Sequence, residues 1–498
     1  MHIVQVASEV APVAKVGGLA DVMMGLNREL KWKGHTVDIV VPKYDCLDAQ
    51  DLSMQCSKSS VRSFYDKNWH ENSIWKAQYN GDLVFTFLES HHPRRFFDRG
   101  TIYGCNDDIE RFLYFSRATL DWLSEQETTP DIIHIHDWET AAISFLIRQG
   151  PFKKRFEKTR TVLTIHNIAY QGQCSVADLE KIDLDGAWFN ASDKLLEDFG
   201  SSLNLLKGGI VFSDYTTTVS PNYAKEVLTP EGGKGLQLAL QNNQKKFSGI
   251  LNGIDYSYWN PEIDRNINTP FSATKEGLAK KAANTSALRD ELGLAHTNDK
   301  PLVVGISRLV QQKGVDLIKY AILSAHKKGM QCVMLGTAPD PRVHNEFTNL
   351  AKQYEYDSDV RVVLVQEEKL AHKLYAASDI FFMPSLFEPC GLTQLIALKY
   401  GSIPVVRHTG GLVDTVFDVD YSGKPFEETN GFSFDNSDQG GVDSALDRAI
   451  KLWKNDRDRW RALVLQAMRH DFSWNESSKL YVDVYQKILA RPYHEVVG

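Results

Sequence analysis

Two stretches of this chain put positive charge beside glycine at places where a helix should begin. Near the start, Lys15-Val16-Gly17-Gly18-Leu19 lies between a short apolar run and an amphipathic stretch, with Asp21 in the first turn that follows. Adjacent glycines let a backbone approach a ligand closely, a helix start presents free N–H groups, and Lys15 adds charge, so the corner suits an anion. Neither Gly-x-Gly-x-x-Gly nor Gly-x-x-x-x-Gly-Lys-Ser/Thr is present there, so neither common phosphate fingerprint applies. Further on, Gly305-Ile306-Ser307-Arg308-Leu309 and Gln312-Lys313-Gly314 place Arg308 and Lys313 in one strand-to-helix loop. Two cations there can converge on a diphosphate, Arg as a bidentate fork and Lys as a compact charge. The plainer reading is a pair of solvated surface cations.

A third stretch, Phe387-Glu388-Pro389-Cys390-Gly391-Leu392-Thr393-Gln394, combines a carboxylate with a glycine turn before a helix. Glu388 can accept from sugar hydroxyls while the amides of Gly391, Leu392 and Thr393 face an anion. Alternatively Glu388 simply starts the helix and Cys390 fills a small space. Cys390 reads as packing or a ligand contact and not as a nucleophile, since no His–carboxylate pair adjoins it. Two histidines end apolar runs, in His136-Asp137-Trp138 and His166-Asn167. Asp137 and His166 are the functional candidates there. His134, alternating with His136 along the strand, reads as a satisfied structural histidine, and no companion ligands at metal spacing accompany it.

The elements that must position these residues follow from the pattern. Ile3–Ala7 is expected as a strand, Leu19–Lys33 as an amphipathic helix, and Thr36–Val41 as a strand stopped by Pro42. The runs 131–136, 161–166 and 214–219 read as buried strands, as a parallel sheet covered on both faces requires. From Asn252 to Asp299 the chain turns polar, with a Lys/Ala-rich helix after Thr274. A second strand series follows at 301–307, 331–336, 360–365, 380–384 and 403–406, with helices at 315–328 and 370–377 between. Two doubly wound α/β lobes are predicted, ligands sitting at the carboxyl ends of the strands. Helices from Ala445 to Ala490 have no strand partner and should cap the lobes. One echo stands out: Gly17-Gly18-Leu19-Ala20-Asp21 recurs as Gly410-Gly411-Leu412-Val413-Asp414. It is either two ordinary helix starts or two helix N-termini that aim N–H groups at one ligand.

Composition narrows the class. The chain has 498 residues, enough for two or three domains. Its net charge of −8 argues against a nucleic-acid partner, without forbidding an anionic small ligand in a locally basic site. Six scattered cysteines, none in a Cys-x-x-Cys pair, fit free thiols in a reducing compartment. No run is apolar for long enough to be a membrane helix and no signal-peptide pattern opens the chain. A cytoplasmic protein without a membrane partner is expected.

Taken together, these segments resemble the bacterial glycogen synthase and plant starch synthase family of retaining glycosyltransferases. The matching stretches run in family order from Lys15–Asp21 through Phe97-Asp98-Arg99, His136-Asp137-Trp138, His166-Asn167, Leu206–Gly209, Thr218–Pro221 and Gly249–Asp255. They continue through Ser307-Arg308-Leu309, Gln312-Lys313-Gly314, Phe387–Gln394 and Thr409–Asp414. Lys-x-Gly-Gly-Leu together with Glu-Pro-Cys-Gly-Leu-Thr is highly specific to the family. Related transferases with a Glu-x₇-Glu signature would carry Glu at 396; this chain has Ile396, as the synthases do.

The resemblance implies two Rossmann-like lobes of GT-B type facing a deep interdomain cleft. It implies an acceptor-side domain over 1–252, a nucleotide-sugar domain over 253–472 and a final helix, 473–498, crossing back onto the first. Glucose would pass from ADP-glucose to the non-reducing-end 4-hydroxyl of glycogen or another α-1,4-glucan, with retention, without metal or other cofactor. By position, Lys15 and Gly18 would touch the nucleotide diphosphate, with Gly17 and Asp21 also substrate-binding. Arg308 and Lys313 would stabilise departing ADP, Glu388 would hold the glucose, and Cys390, Gly391, Leu392, Thr393, Thr409 and Gly410 would line the donor. Asp137, His166 and Asn252 would line the glucose side, His166 also supporting positive charge at the anomeric carbon, and Asn167 would be substrate-binding. The lobes would close about a hinge near Asn252–Asp255. Two positions depart from the family: Glu139 stands where His is common, and Gln366 where an aromatic residue often could stack on adenine. A pyridoxal-dependent phosphorylase, a sugar-nucleotide epimerase and an inactive glucan-binding protein share parts of the pattern. Cofactor absorbance, glucose entering polymer and ADP release separate them.

Overall fold

The computed structural model describes residues 1–48, 52–79, 81, 83–185 and 202–491. The chain divides into two compact units, Met1–Gly253 with Trp474–Gly498, and Ile254–Ser473. In the first unit the strands are β1 (His2–Val6), β2 (Thr36–Pro42), β3 (Gln55–Tyr65), β4 (Asn68–Tyr79), β5 (Leu83–Ser90), β6 (Ile132–His136), β7 (Arg160–Ile165), the two-residue pair β8 (Gln173–Cys174) and β9 (Leu203–Asn204), then β10 (Tyr215–Thr218) and β11 (Phe247–Gly249). Its nine-stranded sheet has the order β11-β10-β7-β6-β1-β2-β5-β4-β3. β6 and β7 are buried at every position, which is why they read as continuous apolar runs and not as alternating ones.

The second unit holds β12 (Leu302–Ile306), β13 (Gln331–Leu335), β14 (Val360–Val363), β15 (Ile380–Met383), β16 (Ile403–Arg407) and β17 (Phe432–Phe434). These form a six-stranded parallel sheet in the order β14-β13-β12-β15-β16-β17. The Lys/Ala helix is present as Lys275–Leu292: Thr274 caps its start by accepting from the Gly277 amide, and Gly293 ends it at φ 64°, the left-handed conformation that favours glycine. Inside it, Lys281 is buried and donates to the carbonyls of Tyr375, Ala376 and Tyr400, tying this helix to two others at their C-terminal ends.

Both units are α/β with parallel central sheets, and the sequence pattern leaves one region unread. Residues 55–90 add two antiparallel strands: β4 runs antiparallel to β5 and β3 antiparallel to β4. The turn between β3 and β4 consists of Asp66 and Lys67, both at positive φ (48° and 65°), as a tight hairpin of this twist requires. Asp-Lys lacks the glycine that normally announces such a turn. Pro42 also corrects the expected end of the second strand. It is itself the last residue of β2, in register with Leu88 of β5, a strand-end place where its missing N–H does little harm.

The helix Trp474–Leu489 belongs to the first unit and lies along the first helix, Gly18–Trp32. Gly25 makes room for it: a Cβ there would stand 2.0 Å from the Trp474 indole nitrogen. Among the described residues no helix is long and apolar enough to cross a membrane.

Candidate active site

In a doubly wound sheet, neighbouring strands whose connections leave in opposite directions open a crevice at their carboxyl ends. In the first unit β1 is that strand, flanked by β2 and β6; in the second it is β12, flanked by β13 and β15. The loops leaving these points are 7–17 and 136–137 in the first unit, and 307–314 and 384–392 in the second. The sequence candidates fall largely on them.

At the first corner Lys15 Nζ lies 2.8 Å from Asp21 Oδ1. A carboxylate is already seated on the loop: the buried Glu9 accepts from the amides of Val16 (2.6 Å) and Gly17 (2.8 Å) through one oxygen, and from the Tyr103 hydroxyl (2.7 Å) through the other. So the Gly17 N–H, which the sequence reading leaves free, is occupied by the protein itself. The open first-turn donors of the helix, beginning at Gly18, remain at the corner. Neither Glu9 nor Tyr103 stands out in the sequence as a candidate. An acidic residue three positions past the end of β1 was the available signal for Glu9.

β6 delivers Asp137 in the left-handed region, φ 55°, a conformation that strains a residue other than glycine and concentrates at functional sites. Its Oδ1 accepts from the backbone amides of His166 (2.7 Å) and Asn167 (3.3 Å), so one carboxylate shapes the end of the neighbouring strand. Burial pushes the Asp137 carboxyl up to about 7, against the two amides that favour its charged form. Glu139, also buried, is raised well above the usual carboxylate range by burial and then by Asp137. His166 Nε2 lies 2.9 Å from His136 Nδ1, and His136 Nε2 lies 2.8 Å from Gln5 Oε1. Burial holds His166 down at about 3 and His136 well below the ordinary imidazole range, so both rings are neutral near pH 7. Asn252 is buried, and its Oδ1 has no partner among the described residues.

In the second unit the two loops are joined to each other. Leu386 N–H donates to the Gln312 carbonyl (2.8 Å), and Gln312 Nε2 donates to the Phe387 carbonyl (3.3 Å). This brings Lys313 Nζ to 2.5 Å from Glu388 Oε2, which also accepts from the Ser385 hydroxyl at 2.8 Å. Glu388 is 6% exposed, so the pair sits where its field is weakly screened. Arg308 lies exposed on the same loop as Lys313, with no ion pair to a described residue. Gln394 Nε2 donates to the carbonyls of Cys390 (3.0 Å) and Gly391 (3.2 Å), bracing the turn before the helix Thr393–Lys399. Cys390 is buried, Gly391 has φ 76° and the Thr393 hydroxyl points at Met383 Sδ, 3.4 Å away. Thr409 is buried beside Gly410, and the Gly411 amide donates to the Glu388 carbonyl at 2.9 Å. Gln366 is exposed two residues before the helix Glu368–Ala377.

Among the described residues, His326, Asp357 and Asp359 form a group that could hold a metal. It lies at the amino end of β14, away from the carboxyl-end loops, and Asp359 is already ion-paired to Lys300.

The chain is similar to known proteins along nearly its whole length. Residues 2–242 match the family model "Starch synthase catalytic domain", and residues 290–463 match "Glycosyl transferases group 1". A glycogen synthase of Protochlamydia amoebophila is 49% identical over 99% of this chain and 100% of its own length. A probable starch synthase 4 of Arabidopsis thaliana is 44% identical over 99% of this chain, which spans 47% of that protein. The solved catalytic domain of starch synthase IV from Arabidopsis thaliana, bound to ADP and acarbose, superposes with a TM-score of 0.95 at 44% identity, covering 98% of this chain and 99% of that one. A sucrose-phosphate synthase from Thermosynechococcus elongatus, at 17% identity and a TM-score of 0.61, shares the fold. With a relative this similar along its whole length, and with the fold matched as closely, the chain belongs to the glycogen and starch synthase family of glucosyltransferases.

Proposed function

We propose that this chain transfers glucose from ADP-glucose to the 4-hydroxyl at the non-reducing end of an α-1,4-glucan such as glycogen, with retention of configuration and release of ADP, in the cytoplasm. The observation that carries the reading is the Lys313–Glu388 pair at the crevice of the second unit, beside Arg308, in a chain so similar to glycogen synthases. Breaking a sugar–phosphate bond leaves negative charge on the departing diphosphate. Fixed cations meet that demand best where screening is weak; Lys313, held by Glu388, stands in such a place, and Arg308 is the exposed second cation on the same loop. Glu388 holds Lys313 in place before substrate arrives and offers its carboxylate to glucose hydroxyls once the phosphates compete for the lysine. The amides of Gly391, Leu392 and Thr393 add neutral donors to the same charge, with Cys390, Thr409 and Gly410 as lining.

From the first unit, Lys15 and the Gly18 amide serve the diphosphate, with Asp21 holding Lys15 and Gly17 shaping the loop. Asp137, Asn167 and Asn252 serve the glucose, and neutral His166 stands beside the anomeric carbon, where positive charge develops. Retention then proceeds through a same-face ion pair; a trapped glycosyl adduct on Glu388 or Asp137 would contradict it. The deciding experiment is elongation of a glycogen primer with ADP-glucose and UDP-glucose side by side, following label into polymer and the nucleoside diphosphate released. Binding of glycogen without release of either diphosphate would refute the reading.

A further inference from the structure

One face of the first unit's sheet, around β1, β6, β7 and β10, is polar where a buried parallel sheet is normally aliphatic. Strand register explains how the residues gather. Gln5 pairs with His134, His136 with Thr164, and Thr164 with Thr217, while His134 and His136, two apart on one strand, share a face. All five are buried to 0% exposure. Val or Ile at these places would avoid the desolvation of so many polar groups, so the seam is stable only because each member finds a partner.

The partners form a single line. His166 Nε2 meets His136 Nδ1 at 2.9 Å, and His136 Nε2 meets Gln5 Oε1 at 2.8 Å. Gln5 Nε2 donates to the hydroxyl of Tyr485, on the helix Trp474–Leu489, at 3.4 Å. That hydroxyl meets His134 Nδ1 at 2.8 Å, and His134 Nε2 meets Thr164 Oγ1 at 2.6 Å. With the Gln5 oxygen turned towards His136, an acceptor only, His136 carries its proton on Nε2. A neutral His136 then has a lone pair on Nδ1, and His166 must donate to it from Nε2. Tyr485, having accepted from Gln5, still has its own proton for His134 Nδ1, and His134 then donates from Nε2 to Thr164 Oγ1. In this arrangement every link points the same way, from His166 towards Thr164. Rotating the Gln5 amide by half a turn would reverse every link and move the His166 proton to Nδ1.

We propose that Gln5, held with its oxygen towards His136 and its nitrogen towards the Tyr485 hydroxyl, sets the His166 tautomer, with Gln5 and Tyr485 as positioning residues, so that Nδ1 is presented as a lone pair able to accept from a substrate hydroxyl. Its role in catalysis rests on the reading that His166 meets the sugar; the tautomer itself does not. Selective ¹⁵N-histidine labelling of the full chain reads the proton directly, the His166 signals being those lost in His166→Gln. The expected spectrum has His166 protonated at Nε2 and bare at Nδ1; the opposite tautomer, or a cation at pH 7, overturns the proposal. Tyr485→Phe keeps the ring and removes the hydroxyl. It should let the Nδ1-protonated form appear and lower kcat about five- to tenfold, the worth of one to two net hydrogen bonds, with the donor KM within twofold. Adding Tyr485→Phe to His166→Ala should cost nothing further. Additive losses, or an unchanged tautomer in a folded Tyr485→Phe protein, would overturn it. If the protein elongates no glucan at all, the functional reading fails while the spectrum still decides the tautomer. If Tyr485→Phe does not fold, the unaltered protein's spectrum still decides.

Discussion

A Cβ added at Gly17 would meet nothing nearer than a Glu9 carboxylate oxygen at 3.9 Å, whereas one added at Gly410 would lie 1.9 Å from the Glu388 carbonyl oxygen. The residues belong to the two copies of the Gly-Gly-Leu-x-Asp pattern, one in each unit. At the second copy Gly410 sits at φ 51°, and a Cβ on Gly411 would lie 2.4 Å from the Cys390 Cα. Glycine there lets one backbone segment press against the turn that carries Glu388. At the first copy Gly17 is extended (φ −140°, ψ −167°) and its N–H is held by Glu9. One pattern thus serves two purposes: packing behind a charged pair in the second unit, and a carboxylate-filled loop beside Lys15 in the first. At these loops the second unit sets its charge in the part-buried Lys313–Glu388 pair, while the first spreads polar groups through hydrogen-bonded networks.

The largest expected effect tests that asymmetry. Arg308→Ala and Lys313→Ala should each lower kcat about 10²–10³-fold, the usual loss when a fixed donor to developing negative charge is removed, with the sheet of the second unit intact by circular dichroism. A loss under tenfold in a folded variant would mean that the charge is met elsewhere. Next comes Gly410→Ala. The overlap with Glu388 and the positive φ should destabilise the second unit by about 2–4 kcal/mol, read as a lower urea midpoint for that unit. A change under about 0.5 kcal/mol would show that the turn can yield.

The parts legible in the sequence were those encoded locally. Continuous apolar runs marked β6 and β7, Thr274 and Gly293 bracketed a helix by capping chemistry, and Arg308, Lys313 and Glu388 stood just past apolar runs of strand length. What escaped was fixed at a distance or by backbone alone. The Asp66-Lys67 hairpin takes positive φ without glycine, so no turn signal announced residues 55–90. Glu9 matters because the loop folds back over it, and Tyr485 because a helix 480 residues on from Gln5 returns to the same sheet. His134, read as a satisfied core histidine, has partners on two other elements. The strain at Asp137 is a property of φ, which a residue type only permits.

An intermediate effect separates the first unit's networks from the second's charge pair. Burial lowers the His134 pKa to about 3, against an unfolded value of 6.5, because a charged ring in that seam would lose its hydration. A lowered folded pKa gives stability that is full above pH 6.5 and drains away as pH falls towards 3. For this ring alone the loss between pH 6.5 and 5 is on the order of 2 kcal/mol. It should appear as lower protection factors for the β6 and β7 amides at pH 5, once the slower intrinsic exchange at that pH is divided out, and His134→Gln should flatten the dependence. Equal acid sensitivity in that variant would assign the loss to other groups.

The smallest effect is the most pointed test of the opening comparison. Gly17→Ala should shift stability by no more than about 0.5 kcal/mol, because its backbone is extended and the space beside it is open. Alanine keeps the N–H that donates to Glu9, so the loop geometry should survive as well. With transfer activity also kept within about twofold, the glycine of the first copy would be dispensable, and the corner's work would fall to Lys15 and the helix amides that begin at Gly18. A larger loss of activity with unchanged stability would instead mean that substrate needs the space a Cβ would fill. The two Gly-Gly copies would then both be there for close approach, to protein in one unit and to ligand in the other.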